Sequence, residues 1–296
     1  ASGQPTPRVF NSWEKLVSLK DLDVVVVATV NAVIPECAAG ALEEGKHVLV
    51  EKPAGRNPED LKKVVAAEKR AKGIIRVGFN HRFHPGFQKA KRMMEAGAVG
   101  PLMYIRARYG HGGRIGYDRE WRADARISGG GELLDQGVHL IDLCRWVGGE
   151  FDLEYGRAET FFWDMPVDDN GFMLLQGRET PKGAKARPRA HLHASCSEWK
   201  NLFDFEIFGI NGKLQIWGLG RSYGQEELRY FKMKPEMGPP DVENWTYPGQ
   251  DDSWKLEFEA FCAEIEGKKT DIGRVNDALR AVEIVDAVYA SGRNSK

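Results

Sequence analysis

The segment Asp23-Val24-Val25-Val26-Val27-Ala28 constrains the fold more than any other feature of this chain. Four consecutive β-branched residues without polar alternation read as a strand buried on both faces of a parallel sheet, with helices on each side. A helix-compatible stretch, Pro35 to Glu44, follows, and then a second apolar strand, His47-Val48-Leu49-Val50. Parallel neighbours need a crossover between them, so the three pieces form a βαβ unit. The pattern then repeats. Asn57-Pro58-Glu59-Asp60 offers a cap, a proline at the first helical position and acidic residues that complement the helix dipole. The helix it starts is expected to reach Lys72, ahead of Gly73 and a third strand, Ile74 to Phe79.

Open α/β sheets bind ligands at the carboxyl ends of their strands. Three polar clusters fall there: Thr29-Val30-Asn31, Glu51-Lys52-Pro53 and Asn80-His81-Arg82. One such cluster is ordinary loop chemistry, but three in succession on one edge are expected to converge on one ligand. Pro53 holds Lys52 in an extended conformation and permits a cis bond between them. A lysine at a sheet rim usually carries its ammonium to water; beside a substrate hydroxyl it donates a hydrogen bond or, if desolvated, carries a proton.

A second chemical pattern follows three glycines, in Ser128-Gly129-Gly130-Gly131-Glu132-Leu133-Leu134-Asp135-Gln136-Gly137-Val138-His139. If residues from 132 onward are helical, Asp135 and His139 stack one turn apart on one face as an acid/base pair. A solvated edge or a capping interaction explains such a spacing equally well. Leu133, Leu134, Val138, Leu140 and Ile141 make the helix apolar over much of its circumference, so these polar groups lie close to buried surface and need partners.

From Met103 the pattern changes to alternating strands: Met103 to Arg108, Asp152 to Phe162, Phe172 to Gln176, His191 to Ser197 and Phe203 to Ile210. Asn211-Gly212 is a hairpin signal before Leu214 to Trp217. The helices Ser253 to Glu266 and Asn276 to Tyr289 read as structural. His191 and His193 share one side of a strand without a third ligand at suitable spacing, and no metal is expected. The loops Gly113 to Tyr117 and Gly220 to Gly224 read either as turns or as the lining of a pocket.

No strand, G-x-G-x-x-G turn and helix opens the chain; Gly218-Leu219-Gly220 lacks the third glycine, where Tyr223 stands, and reads as a loop. The strand-like Arg8-Val9-Phe10, a helix from Ser12 and the Val24 strand correspond to strand 3, its helix and strand 4 of the usual 3-2-1-4-5-6 order. The chain is therefore expected to be a fragment, or to have a mis-assigned start, missing roughly fifty residues.

Forty-two basic and forty-three acidic residues leave a net charge of −1, with no block of like charge that would suit nucleic acid or a membrane surface. No apolar run approaches the roughly 20 residues that span a bilayer, and no secretion signal opens the chain. Cys37, Cys144, Cys196 and Cys262 form no close pair and are expected to be reduced core thiols of a cytoplasmic protein.

With these residues in hand, the chain resembles the Gfo/Idh/MocA family, the glucose-fructose oxidoreductase and inositol dehydrogenase group. The resemblance rests on Ala28 to Asn31, Gly45 to Pro53, Gly78 to Pro85, Trp121-Arg122, and Gly129 to His139 with Asp142, and extends over nearly the whole chain. It implies an α/β fold: a partial, doubly wound Rossmann sheet over residues 1–83, then an α+β domain over 84–296 with a large, mostly antiparallel open sheet. That sheet often mediates assembly, so a homodimer or homotetramer is expected. The cofactor implied is NAD or NADP, and the substrate a secondary alcohol of a sugar, sugar derivative or cyclitol.

Carried over residue by residue, the resemblance makes Lys52, Asp135 and His139 the catalytic set. Thr29, Asn31, Glu51, Lys52 and Asn80 are expected to face the nicotinamide half of the cofactor, with Arg82, Trp121 and Arg122 holding cofactor or substrate. Trp121 has a second reading as a packing aromatic at a domain junction. Val30 and Ile34 stand where the family often has proline and histidine. In the implied chemistry His139 is the base, Asp135 orients it, and Lys52 stabilises the developing oxyanion. Two alternatives remain: a relative that uses bound cofactor transiently for glycoside cleavage or elimination, and a non-catalytic binding or assembly protein.

Overall fold

The computed structural model describes residues 6–293. Helix α1 (Trp13–Val17) starts where the Ser12 side chain accepts from the Lys15 amide. Strand β1 (Val24–Val27), helix α2 (Ile34–Glu43), strand β2 (His47–Glu51), helix α3 (Pro58–Glu68) and strand β3 (Ile75–Gly78) follow. The three strands form a parallel sheet in the order β1-β2-β3, with Val27 opposite Val50 and Glu51 opposite Gly78. Asn57 caps α3 by accepting from the Asp60 amide, as its position before Pro58 predicts.

Two expectations for this region need correction. Arg8 to Phe10 belong to no strand. β1 lies at the edge of its sheet with β2 as its hydrogen-bonded neighbour, and the expected burial of both its faces fails at Val26, which is 54% exposed. A continuous valine run shows that both faces are apolar; whether both are covered depends on what the chain lays over them.

A 3-10 turn (Asn80–Phe83) leads into α4 (Pro85–Glu95) and β4 (Leu102–Gly110). Two more 3-10 turns, Tyr117–Arg119 and Trp121–Ala123, precede the short α5 (Ala125–Ser128). A π-helical turn (Leu133–Gly137) then enters α6 (Val138–Gly148). Strands β5 (Phe151–Glu159), β6 (Asn170–Gly177), β7 (Arg189–Ser195), β8 (Leu202–Gly209), β9 (Gly212–Trp217), β10 (Glu226–Lys232) and β11 (Asp241–Tyr247) complete an eight-stranded sheet in the order β11-β10-β9-β8-β4-β7-β6-β5. Only the β4–β7 pair is parallel, so the sheet is mixed and mostly antiparallel. The hairpin at Asn211-Gly212 forms with Ile210 and Asn211 as its loop, closed by the Gly209–Gly212 pair.

β10 and β11 were not legible as strands. In β10 only Glu226, Leu228 and Tyr230 are buried among charged neighbours, and β11 is an exposed edge strand. Along β4, Ile105 and Ala107 are buried while Tyr104, Arg106 and Arg108 face outward, so one side of the large sheet packs inward against α6 and the other stays open. The chain's last helices return to the first sheet. α7 (Ser253–Ile265) packs on the Asn80–Phe83 turn, α8 (Val275–Arg293) lies against α3 and β5, and Gly273 pairs with Val77.

Candidate active site

Lys52 leaves β2 through a cis peptide bond to Pro53 and turns toward the second sheet's helices. Its Nζ donates to the Asp135 carboxylate Oδ1 at 2.7 Å and to the Asp135 carbonyl oxygen at 2.6 Å. Arg122 Nε donates to the other oxygen of the same carboxylate at 3.1 Å, and its guanidinium lies 4.6 Å from the Trp121 ring. Burial alone would raise the Asp135 pKa, but Lys52 and Arg122 outweigh it and hold the carboxyl at about 2. Asp135 is therefore an anion fixed between two cations.

This corrects the helical pairing of Asp135 with His139. Asp135 sits in the π-helical turn, whose wider winding breaks the simple α-helical spacing. His139 Nδ1 is buried without a hydrogen-bond partner, and the ring instead stacks on His81 with centroids 3.8 Å apart and planes 17° from parallel. Burial pushes the His139 pKa well below 6.5, and the nearby Lys52 ammonium and His84 lower it further, so the imidazole is neutral.

The glycines before the turn have a packing reason. Gly129 adopts φ +87° at the end of α5. A Cβ on Gly131 would lie 1.9 Å from the Asp168 carbonyl oxygen. That closeness lets the Asp168 carboxylate accept from the Gly131 amide (3.0 Å) and the Leu133 amide (2.8 Å), capping the helical entry from a distant loop.

The rim clusters divide when placed in space. Thr29 is exposed and its hydroxyl bonds the neighbouring Val30 carbonyl. Asn31 is buried and donates to the Ser128 carbonyl at 2.8 Å, tying the end of β1 to the glycine segment. Glu51 is half-buried, and burial raises its carboxyl pKa despite the adjacent Lys52. Asn80 Nδ2 donates to Ser253 Oγ at 2.9 Å, and its Oδ1 faces His81 Nδ1 at 3.1 Å. Arg82 departs from its expected ligand-holding place. It is 5% exposed and committed to the Asp142 carboxylate, to Asp277 at 3.1 Å and to the Asp271 carbonyl.

Two recesses flank the Lys52–Asp135 pair. On one side Lys52, Glu51, Asn80, His81, His139 and Trp254 help to line an open cavity of about 180 Å³, together with Tyr109, Tyr223 and the Leu219–Gly220 loop. On the other, Asp135 faces a narrow gap with Asn31, Trp121, Arg122 and Glu132. Among the described residues six buried side-chain atoms lack hydrogen-bond partners, and His81 Nε2 and His139 Nδ1 belong to residues lining the cavity while Glu132 Oε1 belongs to one lining the gap. Glu132 Oε1 has His111 Nε2 at 3.5 Å, whereas the two imidazole nitrogens leave unsatisfied polar atoms on residues of the cavity wall, where a ligand could meet them.

Sequence reasoning missed Trp254 and Glu257, because α7 carried only the pattern of a structural helix. His193, in contrast, faces Asn170 at 3.0 Å and stacks on Phe172. Among the described residues no group of three or more His, Cys, Asp or Glu side chains is placed to hold a metal ion.

Glu257 is 3% exposed, with Oε1 unpartnered, and burial with the nearby Glu51 and Asp142 pushes its pKa up to about 9. A carboxyl raised in the folded state contributes stability that is complete below its unfolded value of 4.5 and lost as pH rises through about 9. Glu257→Gln keeps the neutral shape without that dependence. The variant is expected to be more stable than wild type at pH 8 by roughly 4–5 kcal/mol, read as a higher unfolding temperature, and to lie within about 1 kcal/mol of it at pH 5, in parallel thermal melts.

Residues 3–79 match the profile of the oxidoreductase family with an NAD-binding Rossmann fold, and residues 87–215 match the GFO/IDH/MocA C-terminal domain. Levoglucosan dehydrogenase of Pseudarthrobacter phenanthrenivorans is 33% identical over 58% of this chain and 46% of its own length. Trans-1,2-dihydrobenzene-1,2-diol dehydrogenase of Xenopus tropicalis is 26% identical over 60% of this chain and 52% of its own. The chain thus spans about half the length of the curated relatives it matches. In fold it is similar to levoglucosan dehydrogenase solved with NADH and levoglucosan, with a TM-score of 0.83 at 24% identity over 96% of this chain and 82% of that one. The chain belongs to the Gfo/Idh/MocA oxidoreductase family.

Proposed function

We propose that the cleft transfers hydride between a nicotinamide cofactor, NAD or NADP, and a secondary alcohol carbon of a sugar, sugar derivative or cyclitol. The observation that carries this reading is Lys52, anchored by two hydrogen bonds to Asp135 at the end of a parallel strand, beside a neutral His139 in a cavity of about 180 Å³. The names of the relatives, a levoglucosan dehydrogenase and inositol 2-dehydrogenases, support the substrate class.

An ammonium has three donors. Two are spent on Asp135, which leaves the third N–H of Lys52 for an oxygen in the cavity. That donor stabilises an alkoxide as it develops, and Asp135, held by Arg122, keeps the ammonium from swinging away. His139 is uncharged and takes the hydroxyl proton. Glu51 and Asn80 on the cavity side, Asn31, Trp121 and Arg122 on the gap side, and Thr29 at the end of β1 would hold the cofactor, whose nicotinamide when bound accepts or supplies the hydride. Arg82 plays no part in this reading beyond holding the Asn80–Phe83 turn.

A cytoplasmic setting suits the free cysteines, of which Cys37, Cys144 and Cys196 are buried and Cys262 is half-buried. No described helix is long and apolar enough to cross a membrane. The open face of the eight-stranded sheet, with Tyr104 and Trp217 exposed, is the surface through which we assign a homodimer or homotetramer.

Titration with NADH and NADPH, followed by fluorescence of the reduced nicotinamide, tests the cofactor reading. Saturable enhancement with at least one of them, weakened in Trp121→Leu, is the expected result. A linear, unsaturable response with both contradicts it.

A further inference from the structure

We propose that His81 is the positioning residue for His139, holding the ring plane by face-to-face stacking in the role that sequence spacing assigned to Asp135. This rests on the active-site reading above, but its structural content stands without turnover.

Both oxygens of the Asp135 carboxylate are engaged by Lys52 and Arg122. His139, 3% exposed, has no hydrogen bond at Nδ1, so no polar group fixes its ring through that atom. What fixes it is aromatic. His81 lies parallel to it at 3.8 Å, and Phe79 and Tyr109 present edges at 6.0 and 6.3 Å. His81 is itself anchored. Its Nδ1 faces the Asn80 side-chain oxygen at 3.1 Å, and Asn80 in turn donates to Ser253 Oγ on α7 at 2.9 Å.

The anchor also sets a tautomer. An amide oxygen only accepts, so His81 Nδ1 carries the hydrogen and Nε2 keeps a lone pair, buried and without a donor. Protonating Nε2 would create a buried N–H⁺ without an acceptor, next to a second imidazole. The ionisable groups around the pair are Lys52 and Glu51 from β2, His84 from the turn, Tyr109 from β4, and Tyr223 and Asp251 from the loops. Glu51 and Asp251 are the carboxylates among them, and neither is hydrogen-bonded to His81 or His139; His84 is taken up by Glu226 at 3.0 Å. Burial lowers the His81 pKa, and the neighbouring imidazoles and Lys52 lower it further. His81 therefore presents a neutral face, on which His139 keeps one orientation while it gains and loses a proton.

Histidine-selective ¹⁵N NMR on the wild-type chain is the first test and needs no variant. The expected His81 signal is the neutral Nδ1–H tautomer, still uncharged at pH 6.5, where free histidine is half protonated. The second arm compares His81→Phe, which keeps a flat ring, with His81→Ala, which removes it. His139 ring protons are expected to keep their upfield ring-current shift in the Phe variant and lose it in the Ala variant. In turnover, Ala is expected to lower kcat about 10²-fold with little change in KM, and Phe to restore most of it. An Nε2–H tautomer for His81, its protonation near pH 6.5, or an unchanged His139 spectrum in His81→Ala overturns the proposal. An intact stack in a protein that transfers no hydride would overturn the oxidoreductase reading alone.

Discussion

Lys52→Ala is expected to lower kcat/KM for alcohol oxidation by about 10³-fold while leaving the fold intact. Among the described residues Lys52 supplies the ammonium that lines the 180 Å³ cavity, and two of its donors are already fixed on Asp135. Removing it takes away the donor for the developing alkoxide. Asp135 retains Arg122 at 3.1 Å, so the carboxylate is not stranded and the unfolding midpoint should move by only a few degrees. Lys52→Arg should rescue little, since a planar guanidinium cannot place one donor on the substrate and two on the same residue's carbonyl and carboxylate. Steady-state kinetics beside a thermal melt separate the two effects.

Arg82→Met is expected to act in the opposite sense, with a large cost in stability. Arg82 bridges Asp142, 1% exposed, and Asp277, and thereby joins the Asn80–Phe83 turn to α6 and α8. Its own burial disfavours charge, but the two carboxylates outweigh that and raise its pKa. Truncation leaves the Asp142 carboxylate buried without its partner, which costs about 3–5 kcal/mol. The double variant Arg82→Met/Asp142→Leu should recover much of the loss, because removing both charges removes the unpaired one. Urea unfolding of wild type, single and double variants gives the comparison. Equal losses in single and double variants would show that packing, and not the ion pair, is what Arg82 supplies.

These two residues show which parts of the molecule were legible in sequence. Alternation, caps and continuous apolar runs are local signals, and they identified the βαβ units, the Asn57 cap and the rim on which Lys52 stands. Pairing is not a local signal. Asp135 and His139 are four residues apart, yet Asp135 closes on Lys52, 83 positions away, because the π-helical turn is packed against the end of β2. Arg82 stands in a polar cluster at a strand end like Lys52, but α6 and α8 meet over it and their carboxylates claim it. Nothing in Trp254 or Glu257 distinguishes them from other residues of an amphipathic helix; the return of α7 to the first sheet places Trp254 at the cleft and buries Glu257. β10 escaped notice because its strand pattern is carried by only three buried positions, one of them Glu226, which accepts from the Gly86 amide and pairs with His84.

The most direct test of the account is turnover itself. Wild-type protein and Lys52→Ala are incubated with NAD or NADP and a neutral polyol such as levoglucosan or inositol. Absorbance of the reduced nicotinamide is followed beside chemical analysis of the sugar. The account predicts reduced cofactor and ketone formed in equal amounts by wild type, and a rate about 10³-fold lower for Lys52→Ala. Equal rates from both proteins, or polyol consumed with no reduced cofactor formed, would contradict it.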